Sequence, residues 1–138
     1  MIIRNLLLTD YNNYKELIDS NISFEYYTNF ITNILGTNHV ILVIEENDKL
    51  IGTGTLLIEE KMTYGGCKMG HIENIFIDEK LRGKNLGYKL INELITLAKK
   101  SCYRIELNCN EDLIKFYEKN NFYKHQIAMC LYIKENFK

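Results

Sequence analysis

One stretch constrains this fold more than any other. Residues 68–77 read as a strand, 78–85 are polar, and a helix pattern starts at once from about Asn85 and runs to Lys100. Leu86, Leu90, Leu94 and Ala98, with Ile91 and Ile95 beside them, fall on one face of that helix. A helix with one apolar face must bury that face against another layer. Helix N-termini expose unpaired N–H groups at the positive end of the helix dipole. The turn at 81–87, Leu-Arg-Gly-Lys-Asn-Leu-Gly, brings glycine and cations to that end. Such a turn suits a phosphate or pyrophosphate. It also reads as an ordinary turn with solvated lysines. Neither G-x-x-x-x-G-K-[ST] nor G-x-G-x-x-G occurs, so the common nucleotide-binding loops are excluded.

Around that stretch the periodicity predicts a definite order of elements. Residues 1–8 form a strand, and Thr9 caps a helix to about Ser20. Ser23 caps a second helix to about Leu35, which Gly36 stops. Residues 39–46 are a near-continuous apolar run, the pattern of a buried strand. Asn47-Asp48-Lys49 is turn chemistry, and 50–60 is the hairpin partner. After the 68–100 stretch, 103–109 alternates like a strand. Asn110 caps a short helix to Lys119, and 125–134 is a last strand. The order is β-α-α-β-β-β-α-β-α-β, without repeat or linker, in one domain over 1–138.

Composition narrows the function classes. The 138 residues carry 46% hydrophobic and 25% charged side chains, as a folded globular protein does. A net charge of −1 argues against a general nucleic-acid binder. No apolar run approaches the length of a membrane span, and the N-terminus is too short and polar for a signal peptide. Cytoplasmic location is the default expectation. Cys67, Cys102, Cys109 and Cys130 form no C-x-x-C pair, which argues against zinc. They are expected to be buried or half-buried thiols. Sixteen asparagines, nineteen isoleucines and no proline look like coding bias.

Arg82-x-x-Asn85-x-Gly87, on a strand-to-helix turn, resembles the [QR]-x-x-G-x-[GA] element of the GNAT acetyltransferases. The resemblance narrows at Gly70-His71-Ile72-Glu73-Asn74, Arg82-Gly83-Lys84-Asn85-Leu86-Gly87, Leu107-Asn108-Cys109 and Phe116-Tyr117-Glu118-Lys119. These are similar to G-H-[IV]-E-D, R-G-K-x-L-G, L-[DE]-C and F-Y-E-K of the glucosamine-6-phosphate N-acetyltransferases. The similarity is dense over 70–122 and looser before it.

The resemblance implies a GNAT fold, α/β (α+β), with a central mixed, mostly antiparallel sheet flanked by helices. It implies acetyl-CoA as co-substrate, no metal, and an amino-sugar phosphate as acceptor, on the route to UDP-N-acetylglucosamine. It also implies a homodimer, with the C-terminal strand near the partner. By the same resemblance Arg82, Gly83, Lys84, Asn85, Leu86 and Gly87 hold the pyrophosphate. Ile75, Phe76 and Ile77 pair with the pantetheine arm, and the last two strands splay apart to admit the thioester. Tyr117 stands near the leaving thiolate, where one O–H donor suffices; its other reading is a packed aromatic. Glu73 and Asn108 lie near the amine, and Glu73 reads equally as a carboxylate that holds the strand bend. His71 is a base by residue type and a packed histidine by family pattern. Lys61, Met62, Thr63 and Tyr64 match the family's substrate loop, with Lys61 a phosphate contact or a solvated lysine.

Four asparagines depart from the family pattern. Asn74 and Asn108 stand where the family has acids, each losing a charge near the acceptor. Asn85 and Asn121 stand where it has glycines, and asparagine tolerates left-handed backbone next best. Tyr132 takes the position of a family arginine that contacts phosphate. Three readings follow: acetyl transfer to glucosamine 6-phosphate, a GNAT enzyme with another amine acceptor, and an acetyl-CoA-binding module without catalysis.

Overall fold

The apolar run at 39–46 is strand β2, His39–Glu46, and its central residues Ile41, Leu42, Val43 and Ile44 are all buried. A strand buried on both faces needs cover on both, and helices supply it. The computed structural model describes residues 1–137. The chain divides into two compact units, Met1–Leu107 and Asn108–Lys138.

The first unit holds a five-stranded sheet in the order β1-β2-β3-β4-β5. Its strands are β1 (Ile2–Asn5), β2, β3 (Lys49–Lys61), β4 (Cys67–Ile77) and β5 (Arg104–Glu106). The first four pair antiparallel, and β5 pairs parallel to β4. This is the mixed sheet flanked by helices that the sequence implies.

On one face lie α1 (Tyr11–Leu17) and α2 (Phe24–Asn29). Their Tyr14 and Tyr27 join Leu6, Ile41, Val43 and Leu50 in a buried apolar cluster. Ser23 caps α2 as expected, its hydroxyl accepting from the Tyr26 N–H at 3.0 Å. Beyond Asn29 the chain widens into an i→i+5 turn, Phe30–Ile34, closed by Leu35 N–H on the Phe30 carbonyl. On the other face lies α3 (Leu86–Ala98), with Leu90, Ile91 and Leu94 fully buried. Gly54 lets it approach: a Cβ there would stand 2.6 Å from Ile75 and 3.0 Å from Leu94.

The second unit contains α4 (Ile114–Glu118), preceded by a 3-10 turn at Glu111–Leu113. The strand expected at 125–134 is absent: Ile127, Met129, Leu131 and Ile133 are each more than four fifths exposed and form no strand. A strand needs pairing for its backbone groups, and among the described residues this unit holds no second strand to pair with. The expected strand 103–109 is similarly cut to Arg104–Glu106. Two further expectations are corrected. Thr9 does not cap the first helix, because it lies inside the 3-10 turn Leu8–Asp10 and Asp10, whose carboxylate accepts the Leu7 N–H, is the residue before α1. Of the four thiols, Cys109 and Cys130 are exposed, and only Cys67 and Cys102 are partly buried. No helix of the described residues is long and apolar enough to cross a membrane.

One ion-pair cluster ties β1 to the entry of α1. Arg4 forks onto Asp10 with contacts of 2.8 and 2.9 Å and reaches Glu45 on β2 at 3.2 Å. Asp10 also accepts the Leu7 N–H at 2.8 Å. Burial pushes the Asp10 carboxyl up, but Arg4 and the Leu7 N–H outweigh it and hold the group below the usual carboxylate range. A lowered folded-state pKa contributes stability above about pH 4 that is lost as pH falls through the folded value. Asp10→Asn should therefore lower unfolding free energy by about 2–4 kcal/mol at pH 7. In urea melts the gap to the native chain should shrink steadily below pH 4; a gap unchanged at pH 2.5 would refute the assignment.

Candidate active site

The site is built on a misfit between β3 and β4. Thr53 pairs with Phe76 and Thr55 with Glu73, so Asn74 and Ile75 together oppose Gly54 alone. This is a β-bulge, which bends a strand and re-aims its side chains. Asn74 sits in left-handed backbone at φ 53°, a conformation asparagine tolerates. Glu73 and Asn74 are both exposed at the bulge. They line a cavity of about 350 Å³ together with Thr55 and Leu57 of β3 and aromatic side chains from α1 and α2.

Beyond the bulge, β4 continues as Ile75, Phe76 and Ile77. β5 pairs with β4 only through Met69, Gly70 and His71, so past His71 that edge of β4 has no strand partner among the described residues. An extended chain can add to such an edge through backbone hydrogen bonds. The resemblance puts the opening between the last two strands; here it follows from the early end of β5.

The open edge runs on toward the turn before α3. Gly83 has φ 89°, and a Cβ there would meet nothing within 4 Å. Asn85, the residue before α3, is left-handed at φ 59° and its side chain makes no cap bond. No acid sits in the first turn of α3, which opens with buried Leu86 and Gly87. Arg82, Gly83, Lys84 and Asn85 are exposed or nearly so. Arg82 is 3.9 Å from Glu79, a surface contact of little energy. An uncapped helix start with two nearby cations and open backbone fits a pyrophosphate.

The substrate loop stands elsewhere. Lys61 pairs with Cys67 at the far end of the hairpin, six residues along β4 from Glu73. At the strand rise this separates them by about 20 Å. Met62 and Tyr64 are 95% and 82% exposed, and Thr63–Gly65 is a 3-10 turn. The Lys61 ammonium lies 3.7 Å from Glu59. Within one chain, then, the loop Lys61–Tyr64 and the bulge are not brought together.

His71 lies two residues before Glu73. Its Nε2 is 2.9 Å from Glu59 and its Nδ1 3.9 Å from Glu106. Arg104 contacts Glu106 at 3.3 Å. His71 is thus engaged by carboxylates on both neighbouring strands, and its hydrogen bond lowers the Glu59 pKa.

In the second unit, Tyr117 is 9% exposed. Its ring packs edge-on against Phe116 at 4.9 Å and Phe122 at 6.2 Å. Burial, and then the neighbouring Cys109, push its pKa up, so the phenol stays protonated at neutral pH and keeps its O–H to donate. Asn108 is exposed just past β5, and Tyr132 is exposed. Asn121 has φ 69°, the left-handed turn expected of it. Among the described residues no group of three or more His, Cys, Asp or Glu is placed to hold a metal ion.

Sequence reading missed the cavity wall. Tyr26, Phe30 and His39 line it, and the only signal was the aromatic density of Phe24-Glu25-Tyr26-Tyr27-Thr28-Asn29-Phe30.

Comparison with known proteins identifies the family. Residues 3–122 match the model of the acetyltransferase (GNAT) family. A probable glucosamine 6-phosphate N-acetyltransferase 2 of rice is 36% identical over 103 residues, covering 71% of this chain and 62% of that protein. The chain thus spans about three fifths of the rice protein's length. The glucosamine 6-phosphate N-acetyltransferase of Candida albicans is 33% identical over 126 residues, covering 84% of this chain and 85% of that one. The crystal structure of the Arabidopsis thaliana glucosamine-6-phosphate N-acetyltransferase superposes with a TM-score of 0.92 at 33% identity, over 96% of this chain and 98% of that one. With a family-model match that spans residues 3–122, the chain belongs to the acetyltransferase (GNAT) family.

Proposed function

We propose that this chain transfers acetyl from acetyl-CoA to the amine of glucosamine 6-phosphate, giving N-acetylglucosamine 6-phosphate and CoA. The observation that carries the reading is the continuous path from the Glu73–Asn74 bulge, along the unpaired edge of β4, to the uncapped start of α3. The acceptor itself comes from the relatives, whose names specify glucosamine 6-phosphate. Two copies of the chain form the working unit in this reading. The exposed apolar residues Ile127, Met129 and Leu131 support it.

Arg82, Lys84 and the backbone of Gly83, Asn85, Leu86 and Gly87 bind the pyrophosphate. Ile75, Phe76 and Ile77 hold the pantetheine arm through their backbone. The acceptor enters as an ammonium and must lose a proton before it attacks. Glu73 steers the ammonium and takes that proton through water, and Asn74 and Asn108 orient the sugar. The neutral nitrogen attacks the thioester carbonyl, the new C–N bond forms and the C–S bond breaks. Tyr117 donates to the leaving thiolate; a sulfur anion is a good leaving group, so one donor is enough. Lys61, Met62, Thr63, Tyr64 and Tyr132 are assigned to the phosphate end, across the pair of copies.

CoA release followed with a thiol reagent should depend on glucosamine 6-phosphate; release with another amine but none with this sugar would sink the acceptor assignment. Tyr117→Phe should lower kcat about a hundredfold and leave the KM for acetyl-CoA within about threefold. An unchanged kcat would make Tyr117 a packing residue. Arg82→Ala should instead raise the KM for acetyl-CoA about tenfold with little change in kcat, as loss of a charge-assisted phosphate contact does. Equal losses in kcat and kcat/KM would place Arg82 elsewhere in the mechanism.

A further inference from the structure

The cavity at the bulge has a composition that a sugar phosphate does not explain. It encloses about 350 Å³, a small-molecule volume. It runs inward from exposed Glu73 and Asn74 to buried Leu6, Tyr27 and Ile41. Its walls are aliphatic and aromatic, with Tyr26 and Phe30 packed together at 6.4 Å and Phe30 edge-on to His39 at 5.2 Å. Among the described residues neither lysine nor arginine lines it, and Glu73 is its one carboxylate. The other titratable groups on its wall are His39 and the hydroxyls of Tyr14, Tyr26 and Tyr27. The Tyr27 hydroxyl is already committed to the Leu7 carbonyl at 2.6 Å.

A carboxylate beside an aromatic chamber suits a cation on an apolar body. A phosphate dianion finds no counter-charge there. The nearest lysine that the sequence assigns to phosphate, Lys61, is about 20 Å along the hairpin. We infer that the chain has a second acceptor class, primary amines on an apolar or aromatic body. The ammonium rests on Glu73 and the body fills the chamber between α1, α2 and the sheet.

The inference rests on the acetyl-transfer reading and uses the same step. The amine loses a proton and its nitrogen bonds to the acetyl carbon of the thioester. The C–S bond breaks, and sulfur leaves with the bonding pair and takes up a proton. An amide and CoA result. No further reactant is needed.

The test is CoA release by the full chain from acetyl-CoA, with glucosamine 6-phosphate, methylamine, propylamine and phenethylamine as separate acceptors. If the chamber takes the body, kcat/KM rises along the amine series by roughly fourfold per buried methylene. In Tyr26→Ala, an exposed position whose loss should spare folding, the phenethylamine value should then drop about tenfold. Turnover of glucosamine 6-phosphate with a flat or dead amine series, or a graded series indifferent to Tyr26→Ala, overturns this inference alone. Graded amine turnover with an inert sugar phosphate upholds it and overturns the sugar assignment. Silence with every acceptor overturns acetyl transfer and the inference with it.

Discussion

The first unit's chemistry depends on two residues of β4 that face one of β3. Without the extra residue, β4 would pair regularly along its whole length, and alternation would carry Glu73 and the residues beyond it to fixed opposite faces. The bulge shifts that phase. It leaves Glu73 on the cavity side and sends Ile75 toward α3, where it fills the space over Gly54. Gly54 is therefore part of the same device: its missing Cβ is the room into which the bulged strand and Leu94 settle. Asn74 supplies the left-handed backbone the bend requires. Opposite these, β5 stops after three paired residues, so the bent half of β4 keeps one edge open. Bulge, glycine and short strand act together, and each would be a defect in a sheet built only for stability.

Much of this was legible in the residues. β2 and α3 stand within a residue or two of their sequence bounds, because both are signalled by apolar patterns that tertiary packing reinforces. The left-handed turns at Asn85 and Asn121 were legible for a local reason, since asparagine is the residue that most readily replaces glycine where φ is positive. Asn74 was legible only in part. It reads as a lost carboxylate, yet in the structure it also has a backbone duty, and register between strands is not written in a single strand's sequence. The entry to α1 was hidden for a similar reason. Asp10 acts there through Arg4 and Glu45, and Glu45 is 41 residues from Arg4 in sequence. The segment 125–134 shows the converse. Its alternation is strong, but alternation alone does not supply the pairing that a strand's backbone groups require.

The electrostatics divide along the hairpin. At the bulge end stands Glu73, beside a cavity that no lysine or arginine among the described residues lines. At the other end and on the neighbouring strands Lys61, Arg104 and the His71 imidazole are each matched to Glu59 or Glu106. Contacts of this kind on an exposed surface are individually weak, so an arriving phosphate can compete for them at small cost. Within the first unit, then, Glu73 and Lys61 do not form one cluster. Glu73 and Lys61 lie about 20 Å apart on β4 and its partner, while Arg104 and His71, which stand nearer, are already engaged by carboxylates. A sugar phosphate seated at Glu73 must draw its phosphate contacts from outside the cavity. An amine without phosphate has no such need. In the proposed reading, amine recognition is local to the bulge and phosphate recognition draws on additional protein surface, so phosphate specificity should respond to assembly while amine binding should not.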